Sequence, residues 1–157
     1  MKPIAIQLYT VREAAAEDFP GVLKKIADIG YKGVEFAGLQ GMTPAEVKTI
    51  VDDLGLKVAS AHMPMPNAEN AQQVIDECNT LGITRLITGP GGQIDTMDGV
   101  LACAENMNAA VAALEGSGIA FGLHNHWQEF EEVDGVLPED VFLEKVPALF
   151  AELDVYW

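Results

Sequence analysis

Four times along this chain a stretch with helical apolar spacing runs into a glycine, and an apolar residue then opens a β-type run. The junctions are Ile29-Gly30-Tyr31, Leu54-Gly55-Leu56, Leu81-Gly82-Ile83 and Ser117-Gly118-Ile119. Glycine accepts the left-handed backbone that stops a helix, and the next apolar side chain folds back onto the helix. A repeated β-loop-α-Gly-β unit of about 26 residues leaves few folds open. Each helix returns the chain to the same end of the sheet, so successive strands run parallel with helices packed outside.

The strand candidates are Ile4–Tyr9, Gly33–Phe36, Lys57–Ala61, Arg85–Thr88, Ile119–Leu123 and Leu149–Val155. Helix candidates lie near Asp18–Ile29, Pro44–Leu54, Ala68–Leu81, Met97–Glu115 and Pro138–Lys145. Phe19, Val22, Leu23, Ile26, Ala27 and Ile29 form one stripe at helical period. Thr43-Pro44 with Glu46 reads as an N-cap followed by proline at the first helical position. No linker or charge block divides residues 1–157, so the expectation is a single α/β domain of the parallel TIM-barrel type. A closed barrel needs eight βα units in about 250 residues. About six units are present in the 157 residues, an incomplete barrel.

Charge narrows the partners. Nine basic residues against 24 acidic ones give a net charge of −15. That field repels phosphate backbones and anionic surfaces, which argues against nucleic acid and membrane partners. No apolar run approaches the ~18 residues of a membrane span, and the start, Met1 to Tyr9, turns polar too early for a signal peptide. Cys78 and Cys103 lie in helix-like segments without a C-x-x-C pattern, so they read as reduced, buried thiols of a cytoplasmic protein.

Parallel β/α folds place function at the carboxyl ends of their strands, and several β runs here end in ionisable groups. Glu35 follows Gly33-Val34, His62 ends Val58-Ala-Ser-Ala, and Asp154 follows the last run. The most concentrated case is Gly118-Ile-Ala-Phe-Gly-Leu-His124-Asn-His126-Trp-Gln-Glu129-Phe. Burying such groups unpaired costs several kcal/mol each, whereas at a strand mouth they bind metals or move protons. His124 and His126, two apart, face the same way if both belong to the strand. They read either as packed histidines or as groups that contact substrate or metal. Glu35 reads as facing a ligand or as paired to Lys32 or Arg12. Tyr9 and Arg12 lie in the first β-to-α loop, where Arg12 is equally a surface salt bridge. Gly89-Pro-Gly-Gly92 suggests a phosphate loop but lacks the Lys-Ser/Thr of one, so a plain turn is the better reading.

Taken together, Gln7-Leu-Tyr-Thr-Val-Arg-Glu13, Ile29-Gly-Tyr-Lys-Gly-Val-Glu35, Leu54-Gly-Leu-Lys-Val-Ala-Ser-Ala-His62, His124-Asn-His-Trp-Gln-Glu129-Phe and Glu152-Leu-Asp154-Val-Tyr-Trp resemble the xylose-isomerase-like barrels, often labelled sugar phosphate isomerases/epimerases. The resemblance runs through the whole chain in order, as far as strand six. It implies a divalent metal (Mn, Mg, Co or Zn) at the barrel mouth, with Glu129 and Asp154 matching two of the four family ligands. It implies Glu129 as the proton-transfer group and His62, His124, His126 and Glu35 as substrate-binding residues. The implied reaction is isomerisation, epimerisation or dehydration of a sugar or small keto/hydroxy compound through an enediolate. The alternative is a non-catalytic truncated barrel with an incomplete metal site. Either way, open edge strands point to a homo-oligomer. An apurinic-site endonuclease shares the fold and metal, but the charge of −15 disfavours it.

Overall fold

The computed structural model describes residues 3–157; Met1 and Lys2, where the stretch read as no signal peptide begins, lie outside them. In chain order the strands are β1 (Ala5–Gln7), β2 (Gly33–Ala37), β3 (Lys57–His62), β4 (Arg85–Thr88), β5 (Ala120–His124) and β6 (Phe150–Glu152). The helices are α1 (Arg12–Glu17), α2 (Phe19–Ile29), α3 (Pro44–Asp53), α4 (Ala71–Leu81), α5 (Met97–Ala113) and α6 (Pro138–Lys145). Strand order follows sequence order, β1 through β6. This is the parallel α/β class of the TIM barrel, with six of its eight strands among the described residues. Among the described residues no helix is long and apolar enough to cross a membrane.

The chain groups into two compact units. The first comprises Met1–Met63 and Asp76–Arg85, the second Pro64–Ile75 and Leu86–Trp157. In the first, β1 pairs with β2 and β2 with β3, all parallel. Phe19, Val22, Leu23 and Ile26 of α2 are buried, as are Val34 and Phe36 of β2. The Phe19 and Phe36 rings meet with centroids 6.4 Å apart. Ile29 departs from the expected stripe and is 75% exposed. The helix ends at that residue, and Gly30 (φ 108°) turns the chain away before Ile29 meets the core. Gly55, Gly82 and Gly118 likewise take positive φ at the other three junctions.

Thr43 caps α3 as expected, its Oγ1 accepting from the Glu46 N–H (3.3 Å) while Glu46 Oε2 accepts from the Thr43 N–H (2.9 Å). The Thr43 hydroxyl also donates to Glu46 Oε2 (2.7 Å), and that bond, with the one from the Thr43 N–H, holds the Glu46 carboxyl below its ordinary pKa. Several elements are shorter than the sequence predicts, α4 beginning at Ala71 and α5 ending at Ala113 among them. The first strand stops at Gln7, because Leu8–Val11 winds into a 3-10 turn that buries Leu8 and leaves Tyr9 exposed. Helix α1 carried no apolar stripe to announce it; in Arg-Glu-Ala-Ala-Ala-Glu only Ala15 is buried.

In the second unit β5 pairs in parallel with β6. Gly122 stands opposite Phe150, and a Cβ there would lie 2.4 Å from the Phe150 ring, so only glycine seats that aromatic. Helix α5 packs on β5 and α6, and its Val100, Cys103, Met107 and Ala110 are buried. Asn108 Nδ2 donates to the Lys145 carbonyl (3.0 Å), tying α5 to the end of α6. The last strand is shorter than expected, since Leu153 to Val155 leave the ladder exposed. The Asp154 N–H is taken by a side chain, Asn125 Oδ1, at 2.8 Å. Both cysteines are free and buried. Burial, and then the Glu77 charge, pushes the Cys78 thiol up to about 11, which leaves it unreactive.

Candidate active site

In the first unit the polar strand ends form one network. Glu35 on β2 is buried. Its Oε1 accepts from Gln7 Nε2 (2.8 Å) and lies 3.1 Å from His62 Nε2, while Oε2 accepts from the Ser60 hydroxyl. Backbone register explains why these side chains meet. Val34 stands opposite Val58, but Glu35 stands opposite Ser60, because a bulge in β3 skips Ala59. That extra residue flips the parity of β3 and puts Ser60 beside the carboxylate. Neither expected cation is the partner of Glu35. Arg12 instead lies over the Tyr9 ring (4.6 Å), donates to the Tyr9 carbonyl and forms a loose surface pair with Glu13. Sequence reasoning gave Gln7 and Ser60 no role; Gln7 stands opposite Glu35 in the β1–β2 register, and the bulge brings Ser60.

The second unit holds the richer cluster. His124 ends β5 and is buried. Its Nδ1 lies 3.2 Å from Glu152 Oε1, and its Nε2 lies 3.8 Å from Asp154 Oδ2. Because β5 stops at His124, His126 lies outside the strand and strand parity does not govern it. The two rings meet edge-on instead, with centroids 5.1 Å apart and planes at 89°. His126 is half exposed and stands against Trp157 (5.7 Å).

Between the histidines, Asn125 is 1% exposed and clamps the exits of β5 and β6. It donates to the Asp154 carbonyl (3.2 Å) while its Oδ1 accepts the Asp154 N–H (2.8 Å). Such two-way amide bonding mimics a strand pair where the ladder has ended. Asp154 Oδ1 accepts from the Tyr156 N–H (2.9 Å), so the acid lies in a defined turn.

Glu129 belongs to a 3-10 turn, Gln128–Phe130, and is 1% exposed. Its Oε2 accepts from the His126 N–H at 2.8 Å, and its Oε1 lies 3.7 Å from His126 Nδ1. A buried carboxylate held by a backbone donor is oriented without being neutralised. It borders a cleft of about 570 Å³ whose other walls include His126, Trp127 and the Pro90–Asp95 loop.

Glu139, which sequence reasoning missed, lies in the first turn of α6, 3% exposed, with neither carboxyl oxygen hydrogen-bonded. Burial, then the charges of Glu129 and Asp140, raises its pKa from the ordinary 4.5 to about 7. The Pro-Glu-Asp opening of α6 looks like ordinary first-turn acidity, so no sequence signal marked it.

No protein-family model and no curated protein matches this sequence. Solved structures do. A sugar phosphate isomerase/epimerase from Parabacteroides distasonis superposes with TM-score 0.79 at 26% identity, over 99% of this chain and 66% of that one. An AP endonuclease of family 2 from Brucella melitensis matches with TM-score 0.72 at 16% identity, over 99% and 69%. The chain has the xylose-isomerase-like TIM-barrel fold. A protein of that description from Mycobacterium smegmatis, solved with magnesium, matches with TM-score 0.63 at 16% identity, over 95% of this chain and 63% of that one. This chain thus spans about two thirds of the length of the xylose-isomerase-like barrels it matches.

The donors at the β5 and β6 exits of this xylose-isomerase-like chain are carboxylate oxygens and imidazole nitrogens. That mixture fits a hard or borderline divalent ion. In the second unit His124 stands between two acids, Glu152 beside its Nδ1 and Asp154 near its Nε2. The Glu129 carboxylate is engaged with His126. Glu152 thereby joins the set as a residue to which sequence reasoning had given no role.

Proposed function

We propose that this chain belongs to a metal-dependent isomerase, epimerase or dehydratase that acts on a sugar or small keto/hydroxy compound. The observation that carries this reading is Glu129: a fully buried carboxylate, fixed by a backbone N–H, on the wall of a cleft large enough for a hexose. Glu129 takes the proton beside the substrate carbonyl. In isomerisation or epimerisation it returns that proton to another carbon or the other face. Proton loss is also the first step of a dehydration, so the same base serves all three.

Glu129 and Asp154 would hold the ion, with His124 and Glu152 among the neighbouring donors. A bound divalent cation supplies Lewis-acid stabilisation of the enediolate oxygens. Asn125 keeps Asp154 in position by bridging the two strand exits. His126 orients Glu129 through its backbone and presents its half-exposed ring to the cleft.

We also propose self-association, since Leu153, Val155 and Tyr156 expose apolar surface just after β6. Sedimentation at rising concentration tests it; a monomer throughout would refute it.

The functional test is proton exchange. With Mn²⁺ present in D₂O, ketoses incubated with the protein should gain deuterium at the carbon beside the carbonyl, and chelation should stop this. Absence of exchange from every ketose tried, with the protein folded and metal-loaded, would defeat the reading.

A further inference from the structure

The turn Gly89-Pro-Gly-Gly92 leads into the loop that walls the cleft beside Glu129, and not all of its glycines serve the turn. Gly91 takes φ +78°, so backbone conformation alone asks for glycine there. Gly92 takes no positive φ, and any residue could adopt its conformation. Gly99 is a second such case. It lies in the first turn of α5, without positive φ, where glycine weakens a helix relative to alanine.

Both positions lie where the wall meets α5. A Cβ on Gly92 would stand 2.9 Å from Cys103 Sγ, and one on Gly99 would stand 2.4 Å from the Gln93 carbonyl oxygen. Heavy atoms in contact keep about 3.5–4.0 Å between carbons, so neither position has room for a side chain. Neither obstacle yields easily. The Gln93 oxygen is backbone, while Cys103 is 2% exposed on α5 and its sulfur is confined to the few rotamers a helix allows. That sulfur also lies 3.9 Å from the same Gln93 oxygen. At Gly91, by contrast, a Cβ would meet the terminal methyl of Met65 (2.8 Å), the free end of a flexible side chain.

Gly92 faces two ways. It lines the cleft, and the bond to the Cβ it lacks points at Cys103, which is not among the lining residues. Bulk added at this seat therefore drives the wall off α5 and into the cleft. We propose that Gly92 and Gly99 are positioning residues that seat the Pro90–Asp95 wall on α5, so that the fit of a substrate against Glu129 is set from behind the wall by the size of the Cys103 side chain. The proposal deepens the functional reading and rests on it, in that it takes this cleft to be the substrate site.

The test uses Gly92→Ala, Cys103→Ala, the double variant and Gly99→Ala. Hydrogen exchange of the amides of residues 89–96, followed by mass spectrometry without any ligand, should quicken about tenfold in Gly92→Ala and in Gly99→Ala. Cys103→Ala should bring Gly92→Ala back to within about threefold of wild type, because the new methyl takes the room the sulfur left. It should not rescue Gly99→Ala, whose obstacle is a carbonyl. Cys103→Val, which leaves Gly92 intact but adds bulk behind it, should loosen the wall in the same sense as Gly92→Ala. With Mn²⁺ in D₂O, kcat/KM for deuterium exchange into D-fructose should fall about tenfold in Gly92→Ala and recover in the double variant. The loss should be smaller for dihydroxyacetone, a shorter ketose that leans less on the wall. Glu129→Gln should instead lose both ketoses alike, with no rescue by Cys103→Ala.

A wall as well protected in Gly92→Ala and Cys103→Val as in wild type would overturn the proposal. So would a loosened wall that leaves D-fructose exchange unchanged, or a double variant that recovers neither. A wild-type protein that exchanges no ketose would defeat the functional reading alone, and amide protection would still decide whether Gly92 seats the wall.

Discussion

Both units of this molecule close a parallel strand pair with a histidine beside a carboxylate, yet they treat charge in opposite ways. In the first, Glu35 has every neighbour it needs: Gln7, Ser60 and His62 all reach it. That unit also contains eight of the nine basic residues, close to balance with its ten acids. The second unit sets fourteen acids against Lys145 alone and buries Glu139 without a hydrogen bond. One network is satisfied and rigid, while the other is electrostatically loaded around Glu129. A buried carboxyl without a hydrogen-bond partner is what stability alone would remove, and the pKa of Glu139 is raised in part by Glu129, which borders the cleft.

Glu129→Gln should break this contrast most severely. It keeps the shape and removes the base, so proton exchange should fall by about 10²- to 10⁴-fold, with little change in melting temperature. Exchange that survives at the wild-type rate would move the chemistry elsewhere.

Glu139→Gln sharpens the contrast through pH. The native carboxyl titrates near 7 and the unfolded one near 4.5. The folded state therefore holds a proton that the unfolded chain releases between those values. Stability should decline as pH rises through that window, by about 3 kcal/mol at most, and stay low above it. In the Gln variant that decline should vanish from denaturant titrations at pH 5 and pH 8. An unchanged slope would show that Glu139 is not the group responsible.

The satisfied unit is tested by truncation. Glu35→Ala strands the Gln7 amide and the Ser60 hydroxyl, and should cost about 2 kcal/mol in urea unfolding at neutral pH. A smaller loss than that of a surface acid would undo the idea of a structural network. Thr43→Ala is the smallest change, about 1 kcal/mol from the lost cap of α3. It should leave substrate binding and exchange untouched, which any assay of the two variants side by side can check.

Much of the architecture was legible without coordinates. The glycine junctions marked helix ends at Gly30, Gly55 and Gly82, because positive φ is a local requirement that few other residues meet, whereas α5 ends at Ala113, ahead of Gly118. Apolar period located α2, and Thr43-Pro44-x-Glu46 announced the start of α3 with its cap. What stayed hidden lacked a local signature. Helix α1 is too poor in buried side chains to show a stripe, and the ends of β1 and β6 depend on which partner takes each N–H. The strand-end acids and histidines were visible as residues, but their partners were not.

Local chemistry written in the chain thus determined the order of the six strands and the longer helices between them, that neighbours run parallel, and that ionisable groups stand at strand exits. Tertiary structure decided everything that depends on register. A single skipped residue, Ala59, delivers Ser60 to Glu35, the end of β5 at His124 frees His126 from strand parity, and packing against its neighbours buries Glu139 away from any donor. Hydrogen-bond partners and desolvation arise from segments distant along the chain, so no pattern of nearest neighbours encodes them.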